Sequence, residues 1–318
     1  MIAPRTEFIL KWVETAIADG AGAEAETQRL LRRALAPAVD AAQNVAGWPA
    51  TYLPSVVGGA FRLPPEQIEM LAAACLLVFA AADVIDDAQD GQLHSEWPSW
   101  KEAVSTGLTL LFLAHQLALA SAPEERRGAV AAVLGGTVLS MSLGQQRDLS
   151  QTGTLDGLRT EADYLTCVRG KTGASVALFT VLPAVVSGAP AEVLSVLKGW
   201  GEAMGAALQV ASDLMDALSP AGRDRRAGRP TLVVQRAWSR LAASDRPHLE
   251  AAWRGEPQAP NLEFLLQRTG AVAYVRARVG ALKLEARELI QGSNLSPSLI
   301  AALNQWVESQ GRDDEMPL

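Results

Sequence analysis

The chain has 318 residues, a formal net charge of −7 and 49% hydrophobic residues. That length admits one or two domains, and the apolar share is enough for a sizeable core, which excludes a disordered protein. The acidic balance argues against a nucleic-acid partner, which needs a basic face, and two cysteines with three scattered histidines offer neither a zinc spacing nor a histidine triad built from sequence neighbours.

Apolar residues recur at three- and four-residue spacing along most of the chain, which predicts an all-α protein. Helices are expected over 7–19, 23–45, 64–90, 97–121, 123–149, 161–187, 190–218, 230–244, 261–291 and 296–309. Pro64-Pro65, Gly91, Pro123, Gly188-Ala189-Pro190 and Ser296-Pro297 mark the breaks. No flexible linker divides the chain, so one helical domain over 1–310 is expected, with 311–318 a disordered tail. The windows 64–90, 161–187 and 190–218 are apolar around most of their circumference, which places them at the centre of a bundle. The first twenty residues lack the pattern of a signal peptide, and the two buried-type thiols suit a reducing cytoplasm. The longest uninterrupted apolar stretches, Met70 to Ala82 and Gly173 to Val186, are shorter than a membrane span, so none is expected.

Two acidic clusters interrupt this apolar pattern. "DVIDDAQD" carries Asp83, Asp86, Asp87 and Asp90, which share helix faces at three- and four-residue spacing. Carboxylates so crowded suit a divalent cation such as magnesium, which takes hard oxygens and shares itself with phosphates; a solvated helix end is the simpler alternative. "LQVASDLMDAL" places Gln209, Asp213 and Asp216 on one face near another helix end. "SLGQQRDLS" sets Gln145 and Asp148 three apart, and "YLTCVRGKTGASVALF" puts Arg169 and Lys171 into an apolar helix, where a lysine meets an anion or snorkels to water. "GRDRRAGRPTL" holds Arg223, Arg225, Arg226 and Arg229, either a solvated loop or a lid that closes on a phosphate.

Together these stretches resemble the trans-isoprenyl diphosphate synthase family, whose all-α fold is shared with class I terpene synthases. "DDAQD" resembles its first aspartate-rich motif, DDxxD; "GQQRDL" its GQxxDL; "YLTCVRGKTG" its Y-x(6)-K-T-G/A helix; "QVASDLMD" its QxxDDxxD; and "GRPTL" its GKxTL. The resemblance runs in family order over roughly residues 75 to 235. It implies an isoprenoid synthase-type helical bundle around a central cavity and, for partners, a prenyl diphosphate substrate and a homodimer. Three Mg²⁺ ions would be held by Asp86 and Asp90 on one side and Gln209, Ser212, Asp213 and Asp216 on the other, with Asp87 an outer or second ligand. Lys171, Arg229 and Gln145 would bind the diphosphate end. Phe79, Phe112 and Phe179 would face the carbocation or serve as core, and Ala81 and Ala82 would border the prenyl tail.

Three departures shape the expected activity. The basic GGKRxRP segment of elongating synthases corresponds to "VAGWPATYLPSVVGG", with no lysine or arginine between Arg33 and Arg62. No basic residue follows the first motif before Lys101, and Ser212 replaces the first aspartate of the second. A site with cations for one diphosphate points to a class I terpene synthase, a lyase that ionises farnesyl or geranylgeranyl diphosphate. The alternatives are a chain-elongating prenyltransferase using isopentenyl diphosphate, prenyl transfer to a non-isoprenoid acceptor, and a silent partner subunit.

Overall fold

The computed structural model describes residues 4–22, 24–95, 97–150, 155, 160–219, 222 and 228–310. Among them the regular elements are all helical. In chain order they are α1 (Thr6–Ala21), α2 (Ala25–Asn44), α3 (Pro49–Ala60), α4 (Pro65–Gln89), α5 (Trp100–Ser121), α6 (Glu124–Leu149), α7 (Glu161–Val168), a π-helical turn (Arg169–Gly173), α8 (Ala174–Ser187) and α9 (Ala191–Leu218). The chain closes with α10 (Leu232–Arg240), α11 (Arg246–Arg254), α12 (Leu262–Arg268), α13 (Ala271–Gln291) and α14 (Pro297–Ser309).

Helix α4 is central because its sequence leaves it no polar face. Residues 68–78, Ala80, Ala81 and Val84 are all buried. Five alanines among them let neighbours approach, and α4 packs on α1, α2, α3, α5 and α8. Its charge is confined to its ends, so the acidic cluster emerges where the apolar run stops. Helix α9 does the same from another direction. Leu197, Trp200 and Met204 join the apolar cluster built around α4, whereas Val210 and Leu214 join a second cluster with α7 and α10 to α13.

Four helix assignments needed tertiary information. Helix α3 was not expected; it contains Pro49, Pro54, Gly58 and Gly59, but eight of its twelve residues are buried, and that burial outweighs poor propensity. The expected helix 261–291 breaks at Gly270, whose φ of +70° is left-handed. The expected helix 161–187 contains the π turn, and α11 was also missed.

The expectation about membrane spans also needs correcting. Four helical segments, Pro65–Gln89, Trp100–Ser121, Glu124–Leu149 and Glu161–Ser187, are long and apolar enough by length and composition to cross a membrane. The sequence reading counted uninterrupted apolar runs, whereas a span tolerates an occasional charge. In the first and last, 78% of the apolar window is buried inside the protein, but in Glu124–Leu149 only 17% is. Helices α5 and α6 consequently expose Leu108, Phe112, Leu139 and Leu143.

Candidate active site

The C-terminal ends of α4, α6 and α9 meet the π turn and the segment around Arg229. Lys171 is the hinge of the cluster. Its Nζ donates to Asp86 Oδ1 at 2.9 Å and lies 3.5 Å from Asp148 Oδ2. Arg229 pairs with Asp90 and lies 3.6 Å from the same Asp148 oxygen. The fold thus joins α4, α6, the π turn and the Arg229 segment through five charged side chains. Asp148 was noted in the sequence but given no role; it turns out to be the acid common to both cations.

The π turn explains how Lys171 reaches this place. Such turns widen a helix by one residue and re-aim the side chains they carry. Glycines allow its neighbours close. A Cβ on Gly144 of α6 would sit 2.7 Å from the Lys171 backbone nitrogen, and one on Gly205 of α9 would sit 2.6 Å from the Thr172 carbonyl oxygen. Only glycine permits these two crossings. Arg169, in the same turn, points elsewhere and forms a 2.7 Å ion pair with Glu285 of α13.

Beside this cluster lies a small cleft, open to solvent, whose lining includes Asp148, Tyr164, Lys171, Gln209, Asp213 and Arg229. The carboxylate of Asp213 is buried in its wall. Tyr164 Oη donates to Asp213 Oδ2, Gln209 Nε2 donates to Asp213 Oδ1 at 2.7 Å, and Thr172 Oγ1 donates to Gln209 Oε1. Tyr164 and Thr172 were not among the expected site residues. The signal for Tyr164 was its position seven residues before Lys171, two turns away on a shared face.

Burial dominates the electrostatics. It pushes the Asp213 carboxyl up to about 6, against the opposing hydrogen bonds from Tyr164 and Gln209. It works against the Lys171 ammonium too, but Asp86 and Asp148 outweigh it and hold that pKa above the ordinary lysine value. It lowers Arg229, with Asp86 opposing.

The other expected residues divide. Asp87 and Asp216 are half-buried at the ends of α4 and α9, while Ser212 is exposed. Gln145 lies on α6 with both side-chain amide atoms buried and without a hydrogen-bond partner. Ala81 is fully buried and Ala82 half-buried, one turn below Asp86. Phe79 is half-buried and meets Trp48 edge-on, with ring centroids 5.1 Å apart. Phe179 is fully buried in the apolar cluster around α4, which is a packing position. Phe112 does not join the site: it stands on the outer face of α5, 71% exposed, because its helix turns the opposite face toward α4. Arg223, Arg225 and Arg226 lie outside the described residues, as does the tail at 311–318.

The α4 carboxylates have the chemistry of a magnesium site, hard oxygens on one helix end. Among the described residues, no three histidine, cysteine or acidic side chains converge closely enough to hold a metal ion by themselves. That arrangement fits a cation whose remaining ligands come from a phosphate and water. The cations beside Asp86 and Asp90 fit as well, since Lys171 and Arg229 can pass from carboxylate to diphosphate as a metal arrives, with charge conserved. The α9 set fits less well, because neutral donors already occupy both oxygens of Asp213.

Comparison with known proteins gives this geometry a family. The polyprenyl synthetase family model matches residues 62–266. A short chain isoprenyl diphosphate synthase from Methanothermobacter thermautotrophicus is 26% identical over 229 residues, covering 67% of this chain and 70% of that protein. A geranylfarnesyl diphosphate synthase from Natronomonas pharaonis is 28% identical over 169 residues; the match spans half of this chain and about half (49%) of that relative. The crystal structure of a decaprenyl diphosphate synthase from Rhodobacter capsulatus superposes with a TM-score of 0.78 at 19% identity, covering 98% of this chain and 97% of that one, a likeness of fold.

These relatives correct the expected activity. They are named for making prenyl diphosphates, a transferase reaction, so the terpene synthase and lyase reading is set aside. That reading leaned on basic residues missing near two motifs in sequence. A count along the chain does not register cations that a fold brings in from distant segments, as it brings Arg229 to Asp90. The ordered motifs, the helical fold and the family match agree, and the chain belongs to the polyprenyl synthetase family.

Proposed function

We propose that this protein is a chain-elongating trans-prenyltransferase that joins an allylic prenyl diphosphate to isopentenyl diphosphate. The observation that carries the reading is the linked set Asp86–Lys171–Asp148–Arg229–Asp90, in which two cations and three carboxylates meet where the ends of α4 and α6 approach the π turn. Lys171 and Arg229 would hold the diphosphate that departs as the C1–O bond breaks. Asp86, Asp87 and Asp90 would hold Mg²⁺, which when bound neutralises charge on the leaving group as a Lewis acid. The apolar length of α4 below Asp86 would keep water from the allylic cation until the acceptor alkene attacks and a proton is lost. Ala81 and Ala82 would border the prenyl tail.

Homodimerisation belongs to the same proposal. Leu108 and Phe112 on α5 and Leu139 and Leu143 on α6 form two exposed i, i+4 apolar pairs on packed neighbours, the composition of a surface that another copy covers.

The test is to incubate purified protein with Mg²⁺ and geranyl, farnesyl or geranylgeranyl diphosphate, with and without isopentenyl diphosphate. A longer prenyl diphosphate formed only when both substrates are present is the expected result. A hydrocarbon or alcohol released from the allylic substrate alone, with no elongated product, would overturn it.

A further inference from the structure

The second acidic cluster looks in sequence like the other half of a metal clamp, yet its atoms are engaged differently from those of the first. On α4, Asp86 and Asp90 pair with cations, Lys171 and Arg229. On α9, Asp213 pairs with neutral donors: Tyr164 holds one oxygen and Gln209 the other. Gln209 is itself engaged at both ends, since its carbonyl oxygen accepts from Thr172 while its amide donates to Asp213. Ser212, at the position the first aspartate of the second motif would take, is exposed and has one hydroxyl in place of a carboxylate.

The difference decides what each set can do. When a metal-bound diphosphate arrives, an ion pair can exchange partners, cation to phosphate and carboxylate to metal. A buried carboxylate held by a phenol and an amide gains no such exchange. A metal there would have to compete with these donors for the carboxylate's lone pairs, with no ion pair to exchange. The hydrogen-bonded chain also leads somewhere. It ends at Thr172, the residue beside Lys171, in a π turn wedged between Gly144 of α6 and Gly205 of α9.

We propose that Tyr164, Asp213, Gln209 and Thr172 form a brace that fixes the π turn and so aims Lys171 at the diphosphate, and that Asp213 is not a metal ligand. Tyr164 and Thr172 are therefore positioning residues acting through Lys171. This inference rests on the diphosphate-binding reading given above.

The test separates the two by measuring Mn²⁺ bound in the presence of inorganic diphosphate, by electron paramagnetic resonance, alongside diphosphate affinity by calorimetry. Asp86→Asn should lower the number of bound Mn²⁺ ions, whereas Asp213→Asn should leave that number at the wild-type value. Thr172→Val and Tyr164→Phe should weaken diphosphate binding about 2- to 12-fold, the loss of one hydrogen bond, with the Mn²⁺ count unchanged. Thr172→Ser should restore wild-type affinity. If Asp213→Asn does not fold, Tyr164→Phe and Thr172→Val carry the test. Loss of Mn²⁺ in Asp213→Asn equal to that in Asp86→Asn, or unaltered diphosphate affinity in both Thr172→Val and Tyr164→Phe, would overturn the brace. Wild-type protein that binds no Mn²⁺ with diphosphate would instead defeat the proposed function, and the brace with it.

Discussion

Replacing Gly144 by alanine adds one methyl group where α6 crosses the π turn. The new carbon would lie 2.7 Å from Lys171 N, 2.9 Å from the Gly170 carbonyl carbon and 3.1 Å from the Cys167 carbonyl oxygen. Non-bonded heavy atoms rest at about 3.5–4.0 Å, so the crossing must open by about 1 Å. All three contacts are backbone, and no rotamer change can relieve them. Overpacking of this kind costs about 1–3 kcal/mol. Removing a glycine from a helix interior returns about 0.5–1 kcal/mol. The net loss is at most about 2.5 kcal/mol. With an unfolding entropy of about 2 cal/mol/K per residue over 318 residues, the melting temperature should fall by up to about 4 °C. Gly128→Ala is the internal control. It lies on the same helix, nothing would come within 4 Å of its Cβ, and its melting temperature should rise by about 1 °C. Thermal melts followed by circular dichroism compare the two. Calorimetry with Mg²⁺ and inorganic diphosphate then tests Lys171, whose displacement should weaken binding in Gly144→Ala only. A Gly144→Ala protein that melts as high as Gly128→Ala and binds diphosphate like the wild type would refute the close-packed crossing.

Both thiols should be silent in the native protein. Cys75 is fully buried, with its pKa driven upward by that burial, and Cys167 is 2% exposed with its Sγ directed at the Gly144 carbonyl. Ellman's reagent should therefore count no thiols before denaturation and two after it; prompt labelling of native protein would contradict the packing. Leu139→Glu combined with Leu143→Glu should shift sedimentation toward a monomer while leaving the helical circular dichroism intact. A wild-type protein already monomeric at micromolar concentration would count against the α5–α6 interface. Trp306→Ala should destabilise the fold by about 3–5 kcal/mol, because the ring is 1% exposed, lies 5.5 Å from that of Trp200 and donates to Gly47 O; urea denaturation measures this, and a change below about 1 kcal/mol would argue against it. Ala81→Phe should shorten the longest product in the elongation assay if the tail runs down α4, and an unchanged product distribution would place the tail elsewhere.

The all-α class and most helix positions were legible in the sequence because periodicity and punctuation are local signals. Helix α4 reads as central from its uncharged run alone. The two acidic helix ends, Lys171 and Arg229 were visible as charges in the wrong places for a core. The failures share a cause. Helix α3 has the residues of a loop and folds as a helix because it is buried. Phe112 has the chemistry of a cation-facing ring but the wrong face of α5. A count of basic residues near two motifs says nothing of cations that packing brings from distant segments, and it led toward the wrong reaction class.

Spacing along one helix determined that Asp86 and Asp90 would share a face, and that Gln209 and Asp213 would share another. Which partners those faces meet was decided only by how the helices pack. Asp86 and Asp90 met cations and Asp213 met a phenol and an amide, although all three are aspartates at helix ends. A one-dimensional pattern records which groups a helix presents, and the hydrogen-bonding partner of each is set by elements that can be a hundred residues away.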